Sequence, residues 1–174
     1  MTRFGLALAC ALLSGCNNML VGELTPVPPV HRAPVDVVGA VILVDRDPAI
    51  ETRDPVHVQR AKDNHVPEDF RASMVRSFEL AGFKVVAKKE EPHDLVARLA
   101  LAVSEEKGKV RQVYRCGLRG AGDDEVLVEQ IDWAWPAGVY VDANEVFTFA
   151  TNHVANEVAI SRKVASFLRS RRAP

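Results

Sequence analysis

Between Leu95 and Trp135 the chain alternates apolar and polar side chains through three successive runs, with a turn signal between each. A period of two sends every second residue to one face of a strand, so each run builds a strand with one buried face. In the first run Leu95, Ala97, Leu99, Leu101 and Val103 share a face, with Arg98 and Ser104 on the other. In the second, Val110, Gln112, Tyr114, Cys116 and Leu118 share a face, while Arg111, Arg115 and Arg119 line the opposite side with Val113 among them. The third, Glu125 to Trp135, groups Leu127, Ile131, Trp133 and Trp135. The connections Glu105–Lys109 and Gly120–Asp124 are short and contain glycine, which suits hairpins. Strands joined this way form an antiparallel meander, and its apolar face needs a second layer to cover it.

The flanking sequence supplies that layer. Pro67 suits the start of a helix, and Glu68 and Asp69 favour its positive N-terminal pole. Phe70, Met74, Phe78 and Ala81 then recur at helical spacing, and Gly82 fits the left-handed position after the last turn. Phe83 to Val86 opens a strand. A second helix is expected from about Asn144 to Arg169, capped by Asp142 or Asn144, with Val146, Ala150, Val154, Val158 (or Ile160), Val164 and Leu168 as its buried stripe. Arg162, Lys163, Arg169, Arg171 and Arg172 suit the negative pole of that helix. Val35 to Asp45 is continuously apolar and β-branched, as a central strand covered on both faces would be. Residues 46–64, polar and carrying Pro48 and Pro55, read as a long loop, a kind of segment that is often functional. The expectation is an α+β, two-layer sandwich: a roughly four-stranded, mainly antiparallel sheet with two helices on one face, in the order β-α-β-β-β-α.

The amino terminus carries an address. Arg3 precedes the short apolar run Leu6–Leu13, too short to span a bilayer, which needs about 20 residues. The run ends in Leu13-Ser14-Gly15-Cys16, which resembles the lipobox of bacterial lipoproteins. That resemblance implies cleavage before Cys16 and acylation of its thiol and new amine, the membrane being reached through this lipid anchor. Residue 17 is Asn rather than Asp, which by the family pattern points to the periplasmic face of the outer membrane. The organisation expected is a signal peptide at 1–15, a lipidated cysteine with a Pro-rich segment at 16–35, and one periplasmic domain at 36–174. Pro26, Pro28, Pro29 and Pro34 suit an extended tether, although the same stretch would also serve as an ordered arm along the domain.

The chemistry-bearing residues are sparse. With 22 basic and 23 acidic residues the chain has no basic excess to suggest nucleic acid. Cys10 falls in the signal and Cys16 carries lipid, so Cys116 has no partner within the mature chain and reads as a buried, inert thiol. His57 and His65, near Asp63 and Asp69, are eight apart, which fits neither a helical turn nor strand alternation, and they read as solvated loop histidines. His93 has no evident partner, and His153 reads as partly buried in the last helix. No nucleophile elbow occurs, and the glycines at 117, 120 and 122 lie on a strand–turn–strand segment, the wrong setting for a phosphate loop. Asp45, Asp47 and Asp54 gather acidic charge near a strand end. No metal or cofactor is expected.

Two features carry functional weight. The Arg111/Arg115/Arg119 row would suit lipid phosphates or an acidic polymer, and equally describes a solvated sheet face interleaved with Glu125 and Glu129. Trp133, Trp135 and Tyr140 suit either core packing or a partner contact. The helix–Ala81-Gly82-Phe83–strand segment followed by Asp94-Leu95-Val96 resembles small α+β envelope lipoproteins, a group including the lipopolysaccharide-translocon plug (LptE), the Pel exopolysaccharide lipoprotein (PelC) and the N-terminal domain of TolB. The Cys-Gly-Phe start typical of the translocon plug is absent, Cys16 being followed by Asn17 and Asn18. The anchor, the tether and the missing catalytic constellation together suggest a non-enzymatic adaptor or assembly component of an envelope complex, with another envelope protein or further copies of the chain as partner. The alternative is a periplasmic ligand-binding or hydrolytic lipoprotein using residues 46–64.

Overall fold

The computed structural model describes residues 27–52, 54–120, 122–136 and 143–172. Cys16, the signal segment and Tyr140 lie outside the described residues. The elements run β1 (Val41–Leu43), β2 (Ala49–Ile50), α1 (Pro55–Asp63), α2 (Val66–Ala81), β3 (Lys84–Val86), β4 (Leu95–Glu106), β5 (Lys109–Gly120), β6 (Glu125–Pro136), α3 (Ala143–Ile160) and α4 (Arg162–Arg172).

The meander forms as the alternation requires. β4 pairs antiparallel with β5 from Leu95↔Gly120 to Glu106↔Lys109, and β5 with β6 from Lys109↔Pro136 to Leu118↔Leu127, with a bulge beyond Leu118. Lys107 and Gly108 both take positive φ, 51° and 70°, which closes the first hairpin in a turn matched to strand twist. The remaining strands make the sheet mixed rather than mainly antiparallel, and six-stranded rather than four-stranded. Its order is β3-β1-β4-β5-β6, with β2 beside β4, and β1 is parallel to both β3 and β4. The reason is the connection: helices separate β1 from β3, and a helical crossover returns the chain in the same direction.

Three further expectations are corrected. The strand expected over Val35–Asp45 shrinks to Val41–Leu43. The Pro34 carbonyl accepts from both Val37 and Val38 N–H, and Gly39 at φ 78° redirects the chain into β1. The expected 46–64 loop contains β2 and α1. β2 resumes along the edge of β4 already used by β1, after an interruption carrying Pro48, whose nitrogen cannot donate. Asp54 then caps α1, accepting from Val56 N–H at 2.9 Å, with Pro55 in the first turn. Finally, the single long C-terminal helix is two. Val164 falls six residues after Val158, a step that 3.6-residue periodicity cannot keep on one face. The helix therefore breaks, and Ser161 Oγ accepts from Val164 N–H at 3.4 Å to start α4. Asn144 lies inside α3 rather than capping it, and Asp142 is outside the described residues.

The core sits between the inner sheet face and the helices. Phe70, Met74, Phe78 and Ala81 of α2 are fully buried, as are Leu95, Leu101 and Leu118 of the sheet, with Val146, Ala150, Val154 and Val158 of α3 beside them. Phe70 meets Tyr114 edge-on at 5.1 Å between centroids, and Tyr114 meets Phe147 at 5.8 Å. The helix–helix seam carries one buried polar set: Ser77 Oγ reaches Thr151 Oγ1 at 3.0 Å and Asn152 Oδ1 at 2.8 Å. Two close approaches require glycine. Gly82 ends α2 at φ 94°, where a Cβ would meet Val38 at 2.8 Å. At Gly120 a Cβ would stand 2.5 Å from the Phe167 ring, so this glycine lets α4 settle on the sheet.

The stretch before β1 lies against the helices. Asn152 and Asn156, one turn apart on α3, donate to the carbonyls of Pro28 and Pro29 at 2.9 Å each, and Asn156 Oδ1 accepts from His31 N–H at 2.8 Å. Ala33 N–H donates to Ala81 at the end of α2 at 2.7 Å, and Asp36 reaches Arg169 of α4 at 3.6 Å. Residues 28–36 thus form an ordered arm along the helix layer. Among the described residues no helix is long and apolar enough to cross a membrane.

Candidate interaction surface

The helices occupy one face of the sheet. On the outer face, the odd-numbered residues of β5 stand Arg111, Val113, Arg115, Gly117 and Arg119 in a row, between the even-numbered residues of β4 and those of β6. Arg98 lies directly across from Gly117, with Arg115 and Arg119 two residues to either side of it. The missing side chain leaves a depression of about 370 Å³, floored by Ala100 and Gly117 and edged by Arg46, Arg98, Arg115 and Arg119 among others.

Each of these arginines has an acidic neighbour, Arg46 and Arg98 sharing one. Arg111 binds Asp132 of β6 through a bidentate fork. That hydrogen bond, reinforced by the guanidinium charge, holds the Asp132 carboxyl below the ordinary aspartate range. Arg115 reaches Glu51 at 3.0 Å and Gln130 at 3.2 Å, and Arg119 reaches Asp123 at 3.0 Å. The carboxylates expected to interleave were Glu125 and Glu129. Glu125 does sit opposite Arg119, but Glu129 pairs with Cys116 on the inner face. The acids that pair with the row come from the end of β2, from the β5–β6 turn and from farther along β6. Arg98 contacts Asp45 at 3.7 Å, and that same carboxylate lies 3.6 Å from Arg46.

The aromatic candidates separate from this row. Trp133 is half-buried on the inner face, edge-on to Phe149 of α3 at 4.9 Å. Trp135 pairs through its backbone with Val110 on the neighbouring strand. The inner face holds three further titratable groups with perturbed environments. Cys116 is buried, and burial together with the Glu129 carboxylate pushes its thiol up to about 12, so it stays protonated and unreactive at neutral pH. Burial also raises Tyr114, whose hydroxyl bonds to Gln112. Glu129 is raised by partial burial and by Glu157, against the opposing pull of His153 and Lys163.

The remaining candidates do not converge. His65 is an exposed residue of the turn before α2, at φ 53°, as expected, whereas His57 is not in a loop: it stands in the first turn of α1 with Nδ1 3.1 Å from Asp54. His93 Nδ1 lies 2.8 Å from the Glu91 carbonyl. Among the described residues no group of three or more His, Cys, Asp or Glu side chains could hold a metal ion. A second depression, of about 680 Å³, lies between the start of α1 and the β4–β5 hairpin, lined by Glu51, Thr52, Asp54, His57 and Glu105 among others. Asp45 belongs to a different, smaller concavity beside Lys89 and His93.

No protein-family model matches the chain, and no curated protein matches its sequence. Among solved structures, the chain is similar to the PelC dodecamer from Paraburkholderia phytofirmans, with a TM-score of 0.44 and 11% identity over 77% of this chain and 96% of that one. It is also similar to a putative neuraminyllactose-binding hemagglutinin homolog from Helicobacter pylori, with a TM-score of 0.42 and 14% identity over 86% of this chain and 100% of that one. At such identity, what this chain does has to be read from its own residues.

Sequence reasoning missed Arg98, Glu51, Asp123 and Asp132 as members of the outer surface. Arg98 was legible, since its alternation already placed it off the apolar face. The acids were not, because register and loop placement bring them to the row.

Proposed function

We propose that the protein is a lipoprotein anchored through Cys16 at the periplasmic face of the outer membrane. It acts there as a non-enzymatic adaptor or assembly component of an envelope complex, of the kind serving transport, polysaccharide export or secretion. The observation carrying this reading is the depression on the outer sheet face, where four arginines, interleaved with Asp47, Glu51 and Glu125, surround a floor of alanine and glycine on a three-strand platform. Ion pairs to carboxylates of neighbouring loops and turns hold the guanidinium groups in place before a partner arrives, and preorganised charge favours specific docking. The lipobox-like segment supplies the membrane attachment.

The test is crosslinking in cells, with co-purifying envelope proteins and copies of the chain itself identified. A defined partner lost in the Arg111→Glu, Arg115→Glu variant supports the adaptor. Turnover of a substrate by the purified protein, with no partner captured, overturns it. Metabolic labelling with a clickable fatty acid tests the anchor separately: Cys16→Ala should abolish the tag, and a tag that persists refutes lipidation there.

The depression beside His57 keeps a ligand-binding reading in view. It is the weaker reading, because the three expected acids do not converge there: Asp54 lines that depression, but Asp45 and Asp47 face others.

A further inference from the structure

The basic residues of α4 differ from the strand row in having almost no partners. Arg169 reaches Asp36, and Arg171 lies over the Phe167 ring at 5.3 Å. Among the described residues no carboxylate makes an ion pair with Arg162, Lys163 or Arg171. Asp124 and Glu125 border the concavity at the foot of the helix without pairing with it, and Lys163 feels Glu129 only at longer range. The geometry of the face is simple. Val164 and Leu168 are buried against the sheet side, which leaves Arg162, Lys163, Ser166, Arg169 and Ser170 together on the exposed side at helical spacing. Small serines between the cations keep that side low, so a flat surface can approach several charges at once.

The arm indicates which surface that is. Residues 28–36 run along α3 and reach α4, so the chain enters the domain on the helix side, away from the arginine row. Cys16 lies twelve residues before Pro28, at most about 40 Å of extended chain. We propose that the exposed face of α4 rests on the anionic lipid phosphates of the leaflet that holds the anchor, leaving the outer sheet face turned away from the membrane. This rests on the lipid-anchor reading for its geometry, and on unpaired charge for its chemistry. Cationic helical faces near an anionic leaflet are attracted over about a Debye length, with strong dependence on salt.

The experiment uses the full chain, purified in detergent and reconstituted into vesicles of phosphatidylcholine alone or with about a third phosphatidylglycerol, a strongly anionic surface. Acylation of the Lys163 amine is followed by mass spectrometry, with exposed Lys84 and Lys109 as internal references. Lys163 labelling should fall at least several-fold on anionic vesicles only, and recover at high salt. Arg162→Glu with Ser166→Glu, both at exposed positions, should remove the protection while leaving the melting transition in place. Equal labelling on both vesicle types overturns the proposal. So does protection by soluble polyglutamate without protection by vesicles, which would assign the face to an acidic protein. Flotation separates the two readings. A chain lacking its lipids will not float with neutral vesicles, and its flotation with anionic ones would then support the α4 face while refuting the anchor. Flotation with neither refutes both.

Discussion

The strand row of Arg111, Arg115 and Arg119 and the helical cluster of Arg162, Lys163, Arg169 and Arg171 are similar in composition and opposite in electrostatic state. Each strand arginine faces a carboxylate delivered by another segment, Asp132, Glu51 or Asp123. Among the described residues the helical cluster has one ion pair, to Asp36, for four cations. A row of arginines in a sequence is therefore not evidence of a positive surface. What matters is whether neighbouring segments bring acids to it. In a sheet, cross-strand neighbours sit about 5 Å apart and such pairing is easy; beside the terminal helix Asp124 and Glu125 border a concavity with Arg162 and Lys163 without pairing with them.

Both surfaces are mounted on one core, and the largest expected effect tests that. Phe78→Ala deletes a fully buried ring packed on Phe83 at 5.8 Å, and should cost about 3–5 kcal/mol in chemical denaturation, weakening both surfaces together. A loss below about 1 kcal/mol would place α2 off the shared core. Next in size is the joint between the surfaces. Gly120→Ala forces a methyl into the Phe167 ring, and overpacking of this kind should cost about 1–3 kcal/mol. Faster hydrogen exchange in α4 than in β5 is the expected companion; uniform exchange would mean that α4 does not depend on this contact. The smallest effect separates the neutralised row from the free cluster. Arg111→Ala should cost less than about 1 kcal/mol, since the pair with Asp132 is exposed. Its signature is in pH rather than size. The folded-state value for Asp132 is depressed, so the pair contributes above the ordinary aspartate range and is lost as pH falls below about 4. Asp132→Asn should lack that acid-side loss, and an identical acid limb in both proteins would show that the pair does not form in solution.

The meander was legible because its information is local. Period-two alternation, two glycine turns and the phase of every strand residue are set by side chains a few positions apart, and so was the α2 stripe ending in Gly82. The strand expected at Val35–Asp45 was misread in extent, because the pull of Val37 and Val38 toward strand was overridden by the turn built on Pro34 and Gly39. The C-terminal break at Ser161 was legible in principle, since the step from Val158 to Val164 loses helical phase.

The sequence by itself determined which residues face inward on β4, β5 and β6, and that an arginine row would stand on the other side. It also determined that the arm could be extended, because its prolines disfavour helix. Only the tertiary structure decided that β1 lies parallel between β3 and β4, that residues 28–36 are held by Asn152, Asn156 and Arg169, and that one basic surface is neutral while the other is not. Apart from the local pair of Arg119 and Asp123, these depend on segments distant along the chain, as with Glu51 and Arg115 or Asn152 and Pro28. No local periodicity encodes such meetings; strand order, register and helix packing settle which distant charges and carbonyls face each other.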